Sequence, residues 1–216
     1  MIDAVVFDMD GVIVDTEPFW MEEERAILDT ALPSGHDVEP RDILGINVHD
    51  QYEKLAAEYD LEVTREEYFD LFDERADRVY ERADPLPGLQ DLLDEIGARG
   101  YPIGLCTSSY PRWIDIVFER YDLAERFDVV LSAATIDGPG KPEPDVYETV
   151  ARRLDVKPTG MLVVEDSSNG MKAASSAGAR TIGYVPEGRS TDTGPADYRV
   201  ERPAELRQKI LAILSS

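Results

Sequence analysis

Residues 5–12 read Val-Val-Phe-Asp-Met-Asp-Gly-Val. A short apolar run ends abruptly in two carboxylates one residue apart. The run is too short for a helix and rich in β-branched and aromatic side chains, so it is expected to form a buried strand. Such a strand would deliver Asp8 and Asp10 to its carboxyl end, where open α/β sheets place their ligands. Two like charges buried side by side need a cation or a proton to offset them.

Downstream, apolar and amphipathic segments alternate. Strands are expected at 103–107, 129–132, 161–165 and 181–185, separated by helices at 89–99, 111–121, 143–154 and 168–177, with a last helix at 203–214. That alternation implies βαβ units and a parallel sheet. Residues 15 to about 83 read instead as helical, with Phe69, Phe72, Ala76 and Val79 at three- and four-residue spacings. Breakers fall at Pro33-Ser34-Gly35 and around Gly45, and Asp84-Pro85-Leu86-Pro87-Gly88 reads as a hinge. The expected organisation is an α/β core from 1–14 and 84–216, interrupted by a helical insertion at 15–83.

Composition narrows the partners. The 216 residues suffice for one large domain or a domain with an insertion. No apolar stretch approaches the ~20 residues that span a bilayer. The first strand begins almost at once and leaves no room for a signal peptide, so a soluble cytoplasmic protein is expected. A net charge of −23 argues against nucleic acid or an anionic membrane as partner. The acidity, with arginine far ahead of lysine, points to a salt-loving source whose surface charge salt would screen. It is concentrated in residues 15–83, which carry 21 acidic and 7 basic side chains. The single cysteine, Cys106, excludes an intrachain disulfide and lies in an apolar run, as a buried structural thiol would. With no heptad pattern, a monomer is expected.

Four features share one address, the carboxyl ends of the expected strands. They are Asp8 and Asp10; Thr107-Ser108-Ser109; Lys141, just ahead of a proline-marked helix start; and Glu165-Asp166. Singly, a carboxylate there caps the next helix, hydroxyls fill turns, and a lysine is solvated. Together, four acidic side chains on adjacent strand ends call for a hard cation, and all-oxygen ligation suits magnesium. Lysine and hydroxyl donors fit a phosphoryl group. One carboxylate could then attack phosphorus while another shuttles protons.

With these motifs in hand, the chain resembles the phosphatases of the haloacid dehalogenase superfamily, in the subgroup of β-phosphoglucomutase and sugar-phosphate phosphatases. The motifs carrying the resemblance are DMDGV at 8–12, CTSS at 106–109, GKPEP at 140–144 and VVEDSSNGMKAASSAG at 163–178. It implies a Rossmann-like core with a helical cap at 15–83. It makes Asp8 the nucleophile and a metal ligand, and Asp10 the general acid/base with its backbone carbonyl on the metal. Thr107, Ser108 and Lys141 would hold the transferring phosphoryl, and Glu165 and Asp166 would complete a magnesium site. Dehalogenases of this superfamily lack the second carboxylate, so Asp10 favours a phosphate ester as substrate.

Glu17, Trp20 and the turn Leu44-Gly45-Ile46-Asn47 would lie where this subgroup meets the leaving group. Ser167 and Asn169 are expected to cap the next helix, Gly170 to serve close helix packing, and His36 and His49 to be surface or cap structure. The mutase pattern sets a lysine and an arginine about the cap glycine and a histidine after the first motif. Here Leu44, Val48 and Trp20 stand in those places, so hydrolysis of a small monophosphorylated sugar, polyol or hydroxy acid is favoured. A passive aspartate switch is less fitting, since receiver-like domains need no such insertion. Phosphonate cleavage would need a Schiff-base lysine in the cap, where Lys54 stands alone.

Overall fold

The computed structural model describes residues 1–43, 46–136, 138–189 and 191–215. They fall into two compact units, Met1–Asp15 with Pro85–Ser216, and Thr16–Asp84.

The first unit is built on six strands, β1 (Ala4–Phe7), β2 (Ile103–Thr107), β3 (Val129–Ser132), β4 (Met161–Glu165), β5 (Arg180–Tyr184) and β6 (Tyr198–Val200). All pairings are parallel, in the order β3-β2-β1-β4-β5-β6. This is the expected α/β architecture with a Rossmann-like parallel sheet. The strand that ends in Asp8 is central, with Val5 opposite Ile103 on one side and Leu162 on the other. Every residue of β1, β2 and β4 is buried, which is why these strands read as unbroken apolar runs rather than alternating ones.

Five helices accompany the sheet: α4 (Leu89–Ala98), α5 (Pro111–Tyr121), α6 (Asp145–Arg153), α7 (Ser168–Ser176) and α8 (Pro203–Leu214). One core gathers Val6, Cys106, Leu131 and Val163 of the sheet against Tyr147 and Val150 of α6 and Ala173 and Ala174 of α7. Burial in this core pushes the Cys106 thiol up to about 12, so it stays protonated and unreactive. The strand β6 has no counterpart among the sequence expectations. It has three residues, of which only Val200 is buried, and its pairing to β5 rather than any local pattern makes it a strand.

The second unit holds three helices, α1 (Glu17–Ala31), α2 (Val48–Ala56) and α3 (Arg65–Arg82). A capping box starts α3: Thr64 Oγ1 accepts from the Glu67 N–H, and Glu67 accepts from the Thr64 N–H. Its buried stripe runs Tyr68, Phe72, Ala76, Val79 and Tyr80. The sequence reading placed Phe69 on that stripe, but Phe69 is half-buried and stacks on His49 at 5.9 Å. Tyr68 takes the inward position because it sits one turn before Phe72. The α1 stripe is Glu24, Ile27, Leu28 and Ala31. Among the described residues no helix is long and apolar enough to cross a membrane.

Candidate active site

The end of β1 is where the chemistry collects. Asp8 follows the strand directly, its N–H donating to the Val164 carbonyl at 3.0 Å. The chain then turns sharply through Gly11, at φ +76°. A Cβ at Gly11 would stand 1.9 Å from Oδ2 of Asp166. Glycine is therefore required twice here, for the left-handed turn and for the approach of the β4 carboxylate.

Lys141 is the hub. Its ammonium donates to Asp8 Oδ1 at 3.0 Å, to the Cys106 carbonyl at 3.1 Å and to Glu165 Oε1 at 2.5 Å. Three acceptors exhaust the three protons of a lysine. Burial alone would lower its pKa, but the two carboxylates outweigh that and hold it above the ordinary lysine value. Burial raises the Asp8 carboxyl well above the usual carboxylate range, the charge of Glu165 adds to the rise, and Lys141 opposes it.

Glu165 is fully buried and held at both oxygens. Oε1 accepts from Lys141 and, at 2.7 Å, from the Tyr147 hydroxyl; Oε2 accepts from the Ser167 N–H at 3.3 Å and its hydroxyl at 3.1 Å. A Cβ at Gly170 would overlap this carboxylate, at 1.9 Å from Oε1. The packing role expected for Gly170 is thus corrected: it makes room for Glu165, not for a neighbouring helix. Ser167 caps α7 as expected, accepting from the Gly170 N–H at 3.0 Å.

Asp8, Glu165 and Asp166 each offer an oxygen within 4.8 Å of one another, a set that could hold a metal ion. Three carboxylate oxygens fit a hard divalent cation that ligates through oxygen. The Asp10 side chain is engaged elsewhere: the Ser109 hydroxyl donates to its Oδ2. Thr107, buried at the end of β2, accepts from the Ser109 N–H through Oγ1 at 3.0 Å, and Ser108 beside it is half-buried.

Asp8, Asp10, Thr107, Ser108, Lys141, Glu165 and Asp166 therefore all lie at or just beyond the carboxyl ends of β1, β2 and β4, or are bonded to residues that do. Glu17, Trp20 and Asn47 belong to the helical unit. Trp20 packs on Phe72 at 5.7 Å and edge-on to Tyr80 at 5.9 Å. Asn47 is the N-cap of α2, its side-chain oxygen accepting from the Asp50 N–H at 3.0 Å. Leu44 and Gly45 lie outside the described residues. Of the histidines, His36 is within 3.3 Å of Asp29 and His49 stacks on Phe69, both parts of the helical unit's own structure.

Sequence reasoning named Ser109 only as part of the hydroxyl-rich end of β2, without a role of its own, and missed Tyr147. Tyr147 lies on the buried face of α6, its ring centroid 5.6 Å from the Lys141 nitrogen. A tyrosine on such a face must find a partner for its hydroxyl, and that was the available signal.

Comparison with known proteins agrees with this geometry. A model of the haloacid dehalogenase-like hydrolases matches residues 5–184. The chain is 32% identical over 183 residues to the phosphorylated carbohydrates phosphatase of Thermotoga maritima, covering 84% of each chain. It is 32% identical over 216 residues to hexitol phosphatase B of Escherichia coli K12, covering 96% of each. The solved β-phosphoglucomutase of Clostridium difficile superposes with a TM-score of 0.80 over 99% of this chain and 97% of that one, at 24% identity, which speaks to the fold alone. The chain belongs to the haloacid dehalogenase-like hydrolase family. It is a hydrolase of the phosphatase kind that both curated relatives represent.

Proposed function

We propose that the enzyme is a magnesium-dependent phosphatase of a small phosphorylated metabolite, a sugar or polyol monophosphate, working through an aspartyl-phosphate on Asp8. The observation that carries this reading is Lys141, one buried ammonium bonded at once to Asp8 and Glu165. It can hold the nucleophile and neutralise an incoming phosphoryl from the same position. The Asp8 carboxylate attacks phosphorus and the ester P–O bond breaks, while Asp10 gives its proton to the departing oxygen. Water then attacks the aspartyl-phosphate as Asp10 takes a proton from it, releasing phosphate and restoring Asp8. Thr107 and Ser108 offer donors to the phosphoryl oxygens. Magnesium would be held by Asp8, Asp166 and Glu165 with the Asp10 carbonyl, and would offset the repulsion between carboxylate and phosphate.

Hydrolysis is favoured over mutase chemistry by the charge of the helical unit. Six of its basic residues already face acceptors: Arg25 pairs with Glu39, Arg65 with Glu53, Arg75 and Arg78 with Glu23, Arg82 with Glu22, and Lys54 donates to the Asp42 carbonyl. A second substrate phosphate would find little uncompensated positive charge there. The names of the two curated relatives support a carbohydrate or hexitol phosphate, and Glu17 and Trp20 are the candidates to recognise its leaving group.

The test is phosphate release from a panel of sugar and polyol phosphates with magnesium, at low and multimolar salt, with β-glucose 1-phosphate also assayed for glucose 6-phosphate. Release from one compound or a small group is expected, abolished by EDTA, restored by magnesium and absent in Asp8→Asn. Isomerisation without release would replace the phosphatase reading with the mutase one.

A further inference from the structure

The turn that closes β2 is tied down from both sides. The N–H of Ser109 donates to Thr107 Oγ1 at 3.0 Å, and the carbonyl of Ser109 accepts from the Ser132 hydroxyl, at the end of β3, at 2.6 Å. Ser132 is itself fixed, because its Oγ accepts from the Ala134 N–H at 3.3 Å. Both backbone groups of Ser109 are thus anchored to adjacent parallel strands, and both serines are buried. Only the Ser109 side-chain torsion remains to be chosen, and it directs the hydroxyl proton to Oδ2 of Asp10.

Asp10 lies in the turn after β1, half-buried, on a stem with two rotatable bonds. A group that must deliver a proton has to sit within hydrogen-bond reach of the receiving oxygen. A hydroxyl-to-carboxylate bond is among the stronger ones a protein makes, and here its donor is anchored through backbone. We propose that Ser109 is the positioning residue for the acid/base carboxylate of Asp10, an inference that rests on the phosphatase reading above. With Oδ2 accepting from Ser109, the carboxyl is held in one orientation while its proton passes to the leaving group. As the P–O bond breaks, that proton moves to the ester oxygen, and the carboxylate left behind is stabilised by the Ser109 hydroxyl. When water attacks in the second step, the carboxylate takes a proton from it. Ser109 touches neither phosphorus nor the leaving oxygen, so its effect scales with how much the leaving group needs a proton.

The test compares Ser109→Ala and Ser109→Thr with the wild type on two esters. One is the best alkyl phosphate of the panel, whose alkoxide cannot leave unprotonated; the other is p-nitrophenyl phosphate, whose phenolate can. Orthovanadate inhibition reports the phosphoryl site without any proton transfer. Ser109→Ala is expected to lower kcat/KM for the alkyl ester about tenfold, to change the aryl ester less than about twofold, and to leave vanadate inhibition unchanged. Ser109→Thr, which keeps the hydroxyl, should restore most of the loss. Equal losses on both esters, weakened vanadate inhibition, or no loss at all would overturn the role. A wild type that binds vanadate but releases phosphate from no ester would instead sink the phosphatase reading.

Discussion

At the end of β1, Asp8 and Glu165 are buried around Lys141 and receive hydrogen bonds from the ammonium, Tyr147 and Ser167. On α1 of the helical unit, Glu24 is just as buried, yet its Oε2 has no hydrogen-bond partner. Burial, with the nearby charge of Glu17 adding to it, pushes the Glu24 carboxyl up to about 8. The first region sets a cation against its carboxylates, although burial still pushes Asp8 up to about 7; the second keeps a proton instead. Both are solutions to the desolvation of a carboxylate. Only the first places a cation in hydrogen-bond reach of the carboxylates where the chemistry collects.

The largest effect should come from removing the cation. In Lys141→Met, Asp8 and Glu165 face each other across an apolar stem, and breaking a buried ion pair from one side costs about 3–5 kcal/mol. The folded pKa of Lys141 lies above that of a lysine in water. Its contribution is therefore complete below the unfolded value and lost only as pH rises through the folded one. Thermal unfolding in chelator from pH 5 to 9 should show the variant destabilised throughout, and least at the acid end, where Asp8, already raised by burial, can take up a proton. A uniform, small loss would mean that Lys141 is solvated and that the two regions do not differ in kind.

A second measurement breaks the comparison from the other side. The Glu24 pKa is about 8 in the fold and about 4.3 in an unfolded chain, so the fold binds the extra proton and stability falls as pH rises between those values. Glu24→Gln removes the titration and keeps the shape. Its stability should match the wild type below about pH 4.5 and exceed it increasingly above that, by roughly 5 kcal/mol at pH 8. Parallel curves of stability against pH would show Glu24 ionised and hydrated, and the contrast with the core would fall.

Much of the first region was legible in the sequence and little of the second, for a physical reason. In a parallel sheet the strands are apolar throughout, so a charged or hydroxylic residue at a strand end marks both the end of the strand and the ligand edge. Asp8, Thr107 and Glu165 announce themselves in that way, and Lys141 follows from the proline-marked helix start beside it. Glu24 sits in the run Glu22-Glu23-Glu24, where composition suggests a solvated face. Only the helical phase with Ile27, Leu28 and Ala31 turns it inward. Asn47 is placed near the leaving group by the family resemblance, and an asparagine three residues before Asp50 is also an N-cap, a role the structure gives it. The bond from Ser109 to Asp10 and the strand β6 escape the sequence for a third reason: each is defined by a partner distant in sequence, Asp10 in one case and β5 in the other.

Tyr147 gives the smallest and sharpest probe. It adds a second donor to Glu165 Oε1, beside Lys141, so Tyr147→Phe removes one hydrogen bond while the cation and the ring remain. A carboxylate that keeps its lysine and its Ser167 donors should lose only about 1 kcal/mol. Glu24, with no donor at Oε2, shows what a missing donor does: the fold retains a proton instead. If the core truly works by sharing donors around one cation, Tyr147→Phe should lower thermal stability slightly and equally from pH 6 to 8. If Glu165 relies on Tyr147 rather than on Lys141, the loss should exceed that of one hydrogen bond. Thermal unfolding of the variant separates the two, and a loss of several kcal/mol would show that Tyr147, not Lys141, carries most of the compensation of Glu165.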